Sequence, residues 1–151
     1  RWLSAQLGYE VQLPTEEEWE RAARGRDGRE YPWGDRYKSG YANINETRAT
    51  GGVWTLKQTT AVGVYPHGAS AEAVLDLAGN VWEWCLNKYQ HTEEVNADTS
   101  GESRALRGGS WRNLPVGTLG SRRSSNRPDY RNSLSGFRIV SSALVHSRAS
   151  S

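Results

Sequence analysis

The sequence predicts an α+β fold, loop-rich, with short antiparallel strands and about two helices, and three observations carry the prediction. Residues 13–25 hold a complete set of helix start and stop signals. Residues 25–79 are punctuated by turn clusters so closely that only short strands fit between them. The apolar supply is seven Trp and seven Tyr against one Phe and no Met, with 16 Gly. Such a supply suits large rings anchoring loops better than a helix bundle packed with Leu and Met. At 151 residues the chain fits one domain, and 36% hydrophobic with 24% charged residues excludes a disordered composition.

In chain order, residues 1–7 read as the tail of an earlier helix that stops at Gly8, with Trp2, Leu3, Gln6 and Leu7 along one side. Thr15 then caps a second helix. Glu18 completes a capping box, Glu16 and Glu17 sit in the first turn where the helix dipole favours acids, and Gly25 is the stop. Trp19, Ala22 and Ala23 recur at helical spacing and form its buried stripe. The turns are Arg26-Asp27-Gly28, Pro32-Trp33-Gly34-Asp35, Gly51-Gly52 and Pro66-His67-Gly68. Residues 80–85 alternate as a strand, 87–103 form a polar loop, 104–111 give another strand-like run, and 136–140 give the closing strand. The domain therefore runs over 1–146, with 147–151 a frayed tail. A chain without Met even at position 1 is expected to be the C-terminal part of something longer.

Several functions are excluded. No apolar run approaches the roughly 20 residues that span a bilayer, so there is no membrane segment in the sequence. One cysteine, Cys85, excludes a disulfide framework and a multi-cysteine zinc site, and is expected as a buried thiol. The lack of disulfides fits the cytoplasm without excluding export, which leaves the compartment open. His67, His91 and His146 stand apart and form no metal constellation. The net charge of +2 hides an asymmetry: residues 1–106 carry −5, and residues 107–151 carry +7 from arginine alone. Arginine without lysine, spread among Ser, Asn and Gly, suits structural forks and argues against a nucleic-acid partner.

Seven ordered blocks carry a resemblance: residues 13–20, Tyr31-Pro32-Trp33-Gly34, Asn43-Ile44-Asn45, residues 62–66, residues 76–84, Arg107-Gly108-Gly109-Ser110-Trp111, and Gly136-Phe137-Arg138. In this order they resemble the sulfatase-modifying-factor family, which includes the formylglycine-generating enzymes. The resemblance implies a C-type-lectin-like fold of the formylglycine-generating-enzyme subtype, and a domain lacking its N-terminal part. It does not imply the activity. The family's copper enzymes place a cysteine pair shortly after the Gly-Gly-Ser block, and residues 111–123 contain none. A soft Cu(I) site needs thiolate or thioether ligands, so the chain is expected not to be an enzyme and to require no cofactor. By the same resemblance Asp76, Gly79, Val81 and Glu83 fit a structural calcium site with hard oxygen ligands. The alternative is that Asp76 caps a turn and Glu83 pairs with an arginine.

Residues 112–135 contain no Trp, Gln, Glu, Lys or Met, types that supply 26 of the 151 residues. Chance gives that absence with a probability of about 1%. These are the types whose codons never end in a pyrimidine, which adenine-directed mutagenesis of AAC-type codons cannot reach. The stretch resembles the variable region of diversity-generating retroelement target proteins, a branch of the same family. Arg122 to Arg127, Pro128 to Arg131 and Gly136-Phe137-Arg138 hold that branch's frame. The resemblance makes Arg112, Asn113, Leu114, Val116, Thr118, Leu119, Gly120, Tyr130, Asn132, Ser133, Leu134 and Ser135 the diversified positions. Arg107, Arg123, Arg131 and Arg138 become forks that satisfy carbonyls beneath the surface. The expected function is display of a variable surface to a protein or other macromolecular ligand. The alternatives are an enzyme or enzyme-associated module of the sulfatase-modifying-factor type, and a structural domain with a fixed partner.

Overall fold

Thr15 is extended, its hydroxyl accepts the Glu18 N–H at 3.1 Å, and the Glu18 carboxylate accepts the Thr15 N–H at 2.8 Å. Helix α2, Glu16–Arg24, thus starts from the expected capping box, a contribution of about 1 kcal/mol. It ends at Gly25, whose positive φ of 62° and N–H bond to the Arg21 carbonyl close the last turn. A computed structural model describes residues 2–47, 55–96 and 100–141. The Gly51-Gly52 turn, His146 and the tail from Ser147 lie outside these described residues.

Helix α1, Trp2–Leu7, precedes α2 and buries none of its residues within the chain. The strands are β1, Val11–Gln12; β2, Trp82–Lys88; β3, Arg104–Arg107; β4, Arg123–Asn126; β5, Ser135–Gly136; and β6, Val140–Ser141. One sheet has the order β4-β3-β2-β5, and β1 pairs with β6 in a second, two-stranded sheet. All pairings are antiparallel except β2 with β5, which is parallel with Glu83 opposite Gly136. Between α2 and β2 the described residues form turns and loops, with a bridge between Tyr31 and Gly34 and one 3-10 turn at Pro66–Gly68.

The core lies between α2 and one face of the larger sheet, where Trp19, Ala23, Leu77, Cys85 and Ala105 pack together with Ala22 at the margin. A second cluster joins Ala42, Ile44 and Ala78 beneath Trp33 and Tyr37. Gly79 links the two. Its φ is 76°, and a Cβ there would stand 2.3 Å from the Asn43 carbonyl oxygen, so no larger residue fits. Glu46, buried in the loop, accepts hydrogen bonds from the Tyr37 hydroxyl, the Ser39 hydroxyl and the Gly40 N–H.

Three expectations differ from the structure. The strand expected over 80–85 is β2, which begins only at Trp82, because Asn80 takes a left-handed turn with φ 62°, and which runs on to Lys88. Asn87 is buried rather than in a loop: its carboxamide oxygen accepts the Glu16 N–H at 2.6 Å and its amide donates to the Thr92 carbonyl. The expected closing strand over 136–140 is divided, since Gly136 pairs with β2 while Val140 pairs with β1 in the other sheet.

Arginines hold the layers together through buried carboxylates. Glu16 receives Arg107 at 3.1 Å and a two-pronged contact from Arg123 at 2.8 and 2.6 Å. Replacing Glu16 with Ala leaves the buried Arg107 short of its partner and is expected to cost about 3–5 kcal/mol. Urea denaturation monitored by Trp fluorescence measures this, and a loss under about 1 kcal/mol would remove the ion pair from the account of stability.

Candidate functional site

The stretch after Trp111 is built on fixed points. Asn113 accepts the Ser110 N–H and hydroxyl at 2.9 and 2.8 Å on its carboxamide oxygen, and its carbonyl accepts the Asn45 N–H. Pro115 to Thr118 form a short 3-10 turn in which the buried Thr118 hydroxyl donates to the Pro115 carbonyl at 2.9 Å. The Gly120 carbonyl accepts from Arg107 at 2.6 Å, and a Cβ at Gly120 would stand 2.6 Å from Arg24 Cγ. Asn113, Thr118 and Gly120 therefore serve the scaffold, and Thr118 and Gly120 are corrected from surface positions to buried ones.

Between these points other side chains face outward. Leu114 is 45% exposed, Val116 66% and Tyr130 50%. Arg112, Asn132 and Ser133 are exposed as well, with the Arg112 guanidinium 5.8 Å from the Trp111 ring. Leu119, Leu134 and Ser135 are half-buried. Leu134 gives its carbonyl to the Trp82 N–H at 2.7 Å and Ser135 lies in β5, so the backbone there belongs to the sheet.

The four framework arginines divide by role. Arg107 contacts Glu16, Glu20 and the Gly120 carbonyl. Arg123 contacts Glu16 and the Tyr89 carbonyl, with its guanidinium 4.6 Å from the Tyr89 ring centre. Arg138 grips both Glu83 oxygens at 2.6 and 2.7 Å and donates to the Leu75 and Asp76 carbonyls. Arg131 is exposed and, among the described residues, holds the carbonyls of its own turn, those of Pro128 and Tyr130.

These contacts bear on the calcium expectation. Glu83 also accepts the Trp19 indole N–H at 2.5 Å, so both of its oxygens are engaged. Asp76 accepts the Gly63 N–H at 2.7 Å, and the Gly79 N–H goes to the Gly108 carbonyl. Half-buried Val81 sits in the same small cavity of 180 Å³ as Asp76, Glu83 and Arg138. The two carboxylates expected to bind calcium therefore both have protein partners, Asp76 the Gly63 N–H and Glu83 the Arg138 guanidinium and the Trp19 indole. These are the contacts that the alternative reading describes, Asp76 fastening a turn and Glu83 pairing with an arginine.

Sequence reasoning missed two features. His91 is not isolated: in an exposed turn its ring nitrogen and the carboxylates of Glu93 and Glu94 lie within 4.8 Å of one another. The Glu94 carboxylate already meets Lys88 at 2.6 Å, which gives that turn a resident cation. The second is a groove of 540 Å³ between the sheet and the segment 127–137, whose walls include Leu13, Trp84, Leu86 and Phe137. The large apolar residues at alternate positions 82, 84 and 86 were the available signal, but alternation does not say which face is covered.

Residues 1–143 match the sulfatase-modifying factor enzyme 1-like domain. The chain belongs to that family. This sulfatase-modifying-factor domain is 36% identical over 141 residues to the inactive C-alpha-formylglycine-generating enzyme 2 of Bos taurus, covering 87% of this chain and 44% of that protein. It is equally 36% identical over 151 residues to the formylglycine-generating enzyme of Streptomyces coelicolor, covering 87% and 46%. The domain thus spans less than half the length of these relatives. Among solved structures, Treponema denticola variable protein 1 superimposes with a TM-score of 0.64 at 26% identity, covering 87% of this chain and 47% of that one. The expected C-type-lectin-like fold of the formylglycine-generating-enzyme subtype is the fold observed.

Cys85 is the domain's single thiol and points into the core. Burial, reinforced by Glu16, pushes it up to about 12. It is neutral across the physiological range, and the native protein is expected to resist a thiol reagent at pH 8 until denaturant is added. Fast labelling of the folded protein would contradict its place in the core. Calcium at millimolar concentration is expected to leave the melting temperature unchanged in differential scanning fluorimetry, since an occupied site must stabilise by mass action.

Proposed function

We propose that this sulfatase-modifying-factor domain is a non-catalytic ligand-binding domain, displaying residues 112–135 as a diversified surface to a protein or other macromolecular ligand. The observation that carries this reading is the sorting of side chains along that segment. Arg112, Leu114, Val116, Tyr130, Asn132 and Ser133 face solvent, while Asn113, Thr118, Gly120 and Arg123 are tied into the scaffold. Exposed Leu, Val and Tyr amid Gly, Ser and Asn make an adaptable contact surface on fixed backbone. The likeness to Treponema denticola variable protein 1 supports the same reading.

The enzyme reading is favoured by one fact, the equal identity to a formylglycine-generating enzyme. Against it stand the absence of a cysteine pair after Ser110 and the buried, neutral state of Cys85. An assay for formylglycine formation on a Cys-containing peptide with copper is expected to give no product, and product would restore that reading.

The display reading has a genetic and a physical test. Sibling sequences from the same source are expected to differ within 112–135 at adenine-derived codons, beside a near-copy of the segment and a reverse-transcriptase gene. Differences spread evenly over the chain would refute it. Physically, Val116→Lys and Tyr130→Ser are expected to change stability by less than about 0.5 kcal/mol, as exposed substitutions do. Thr118→Leu and Gly120→Leu are expected to cost about 1–3 kcal/mol through overpacking. Thermal or urea unfolding of the four variants distinguishes the two classes.

A further inference from the structure

Strand β2 has two unlike faces. Glu83, Cys85 and Asn87 point into the core, while Trp82, Trp84 and Leu86 are half-buried on the opposite side. The chain covers that side incompletely. Strand β4 ends at Asn126, opposite the far end of β3, and β5 begins opposite Trp82, so residues 127–134 must return across the sheet to make the parallel pairing. They leave a groove of 540 Å³ in which Leu13, Trp84, Leu86, Pro128 and Phe137 supply apolar wall. That volume falls within the roughly 300–1,000 Å³ of small-ligand sites. Phe137, at the mouth, is 68% exposed.

The charge of the groove is one-sided. Among the described residues Arg104 and Arg131 line it and no carboxylate does. Asp129, on the same turn as Arg131, is paired with Arg127. Arg104 is buried and donates to the Leu86 and Asn96 carbonyls, so it offers the groove no donor. Arg131 differs. Its Nη1 holds the Pro128 and Tyr130 carbonyls, which fixes the guanidinium, while Nη2 and Nε meet no acceptor among the described residues. A fixed guanidinium edge beside apolar wall is matched by a planar carboxylate attached to an apolar group.

The geometry points to this groove as a binding site for a small amphipathic organic anion, an aromatic or branched apolar group carrying one carboxylate. The apolar part contacts Trp84, Leu86 and Phe137, and the carboxylate meets Arg131. The site goes beyond the proposed display surface, because the apolar wall of Leu13, Trp84, Leu86 and Phe137 lies outside residues 112–135 and Arg131, within them, holds a framework position. It can be present whether or not that segment is diversified.

The probes are 3-phenylpropionate, 3-phenylpropanol and 3-phenylpropylamine, each titrated into the isotopically labelled 151-residue chain and followed by amide NMR. The carboxylate is expected to shift the Trp84, Arg131 and Gly136 amides and to bind at least about tenfold more tightly than the alcohol, with the amine weakest. Arg131→Gln is expected to lower the carboxylate to the level of the alcohol without affecting the alcohol. Phe137→Ala is expected to weaken both. If Arg131→Gln disturbs the turn, Arg131→Lys, which keeps the charge and loses the fork, is expected to give an intermediate affinity. Equal affinity for all three probes, no shift at these amides at millimolar probe, or an undiminished carboxylate preference in Arg131→Gln would overturn the proposal. So would tighter binding of an acetylated pentapeptide bearing an internal Phe-Glu pair, which would assign the groove to a protein partner.

Discussion

One buried carboxylate joins most of the structure. Glu16, in the first turn of α2, receives Arg107 from β3 and Arg123 from β4, partners 91 and 107 residues away along the chain. A second centre repeats the arrangement, with Glu83 of β2 receiving Arg138 and the Trp19 indole. The charge asymmetry of the sequence is thereby explained as internal complementarity: acids of the first 106 residues hold arginines of the last 45. Buried ion pairs add little net stability over apolar packing, but removing one partner is costly, so they fix which segments meet.

That constraint decides what the C-terminal segment can do. It is anchored at Arg107, Arg123 and Arg138, and between the anchors its backbone is tied by Asn113, the Gly120 carbonyl and β4. Side chains on the free stretches, Leu114 and Val116 before β4 and Tyr130 after it, can change without disturbing any of these ties. Fixed backbone carrying replaceable side chains is the physical requirement for a surface that varies in specificity while the fold stays constant.

Local features were legible in the sequence and distant ones were not. The Thr15 and Glu18 cap and the Gly25 stop are interactions within a few residues, so their spacing alone specifies them. Arginine as a structural fork followed from composition, but Glu16 and Glu83 as its partners depend on contacts across the fold. Asn87 looked like loop because it is polar; it is buried because Glu16 needs an acceptor for its N–H. The run from Gly136 to Val140 has strand composition, yet it serves two sheets, and Arg138 at its middle turns in toward Glu83. The calcium residues came by resemblance, which names Asp76 and Glu83 but says nothing of Arg138, 55 residues from Glu83 along the chain and bound to both its oxygens. Of the site, the exposed Leu114, Val116 and Tyr130 matched expectation, while burial of Thr118 and Gly120 depended on a 3-10 turn and on close contact with Arg24.

The groove follows from the same polar core. In most half-buried strands the apolar side chains face inward and the polar ones outward. Strand β2 reverses part of this order, since Glu83 and Asn87 face inward, where Arg138, Trp19 and the Glu16 N–H satisfy them. With inward positions taken by the residues that bind the layers together, Trp82, Trp84 and Leu86 are left on the outer face. The return of residues 127–134 covers them only in part, and it brings Arg131 to the groove. An apolar surface with a single oriented cation is therefore a consequence of how this fold is held together, and changes at Arg112, Leu114 and Val116, which do not line the groove, leave it in place.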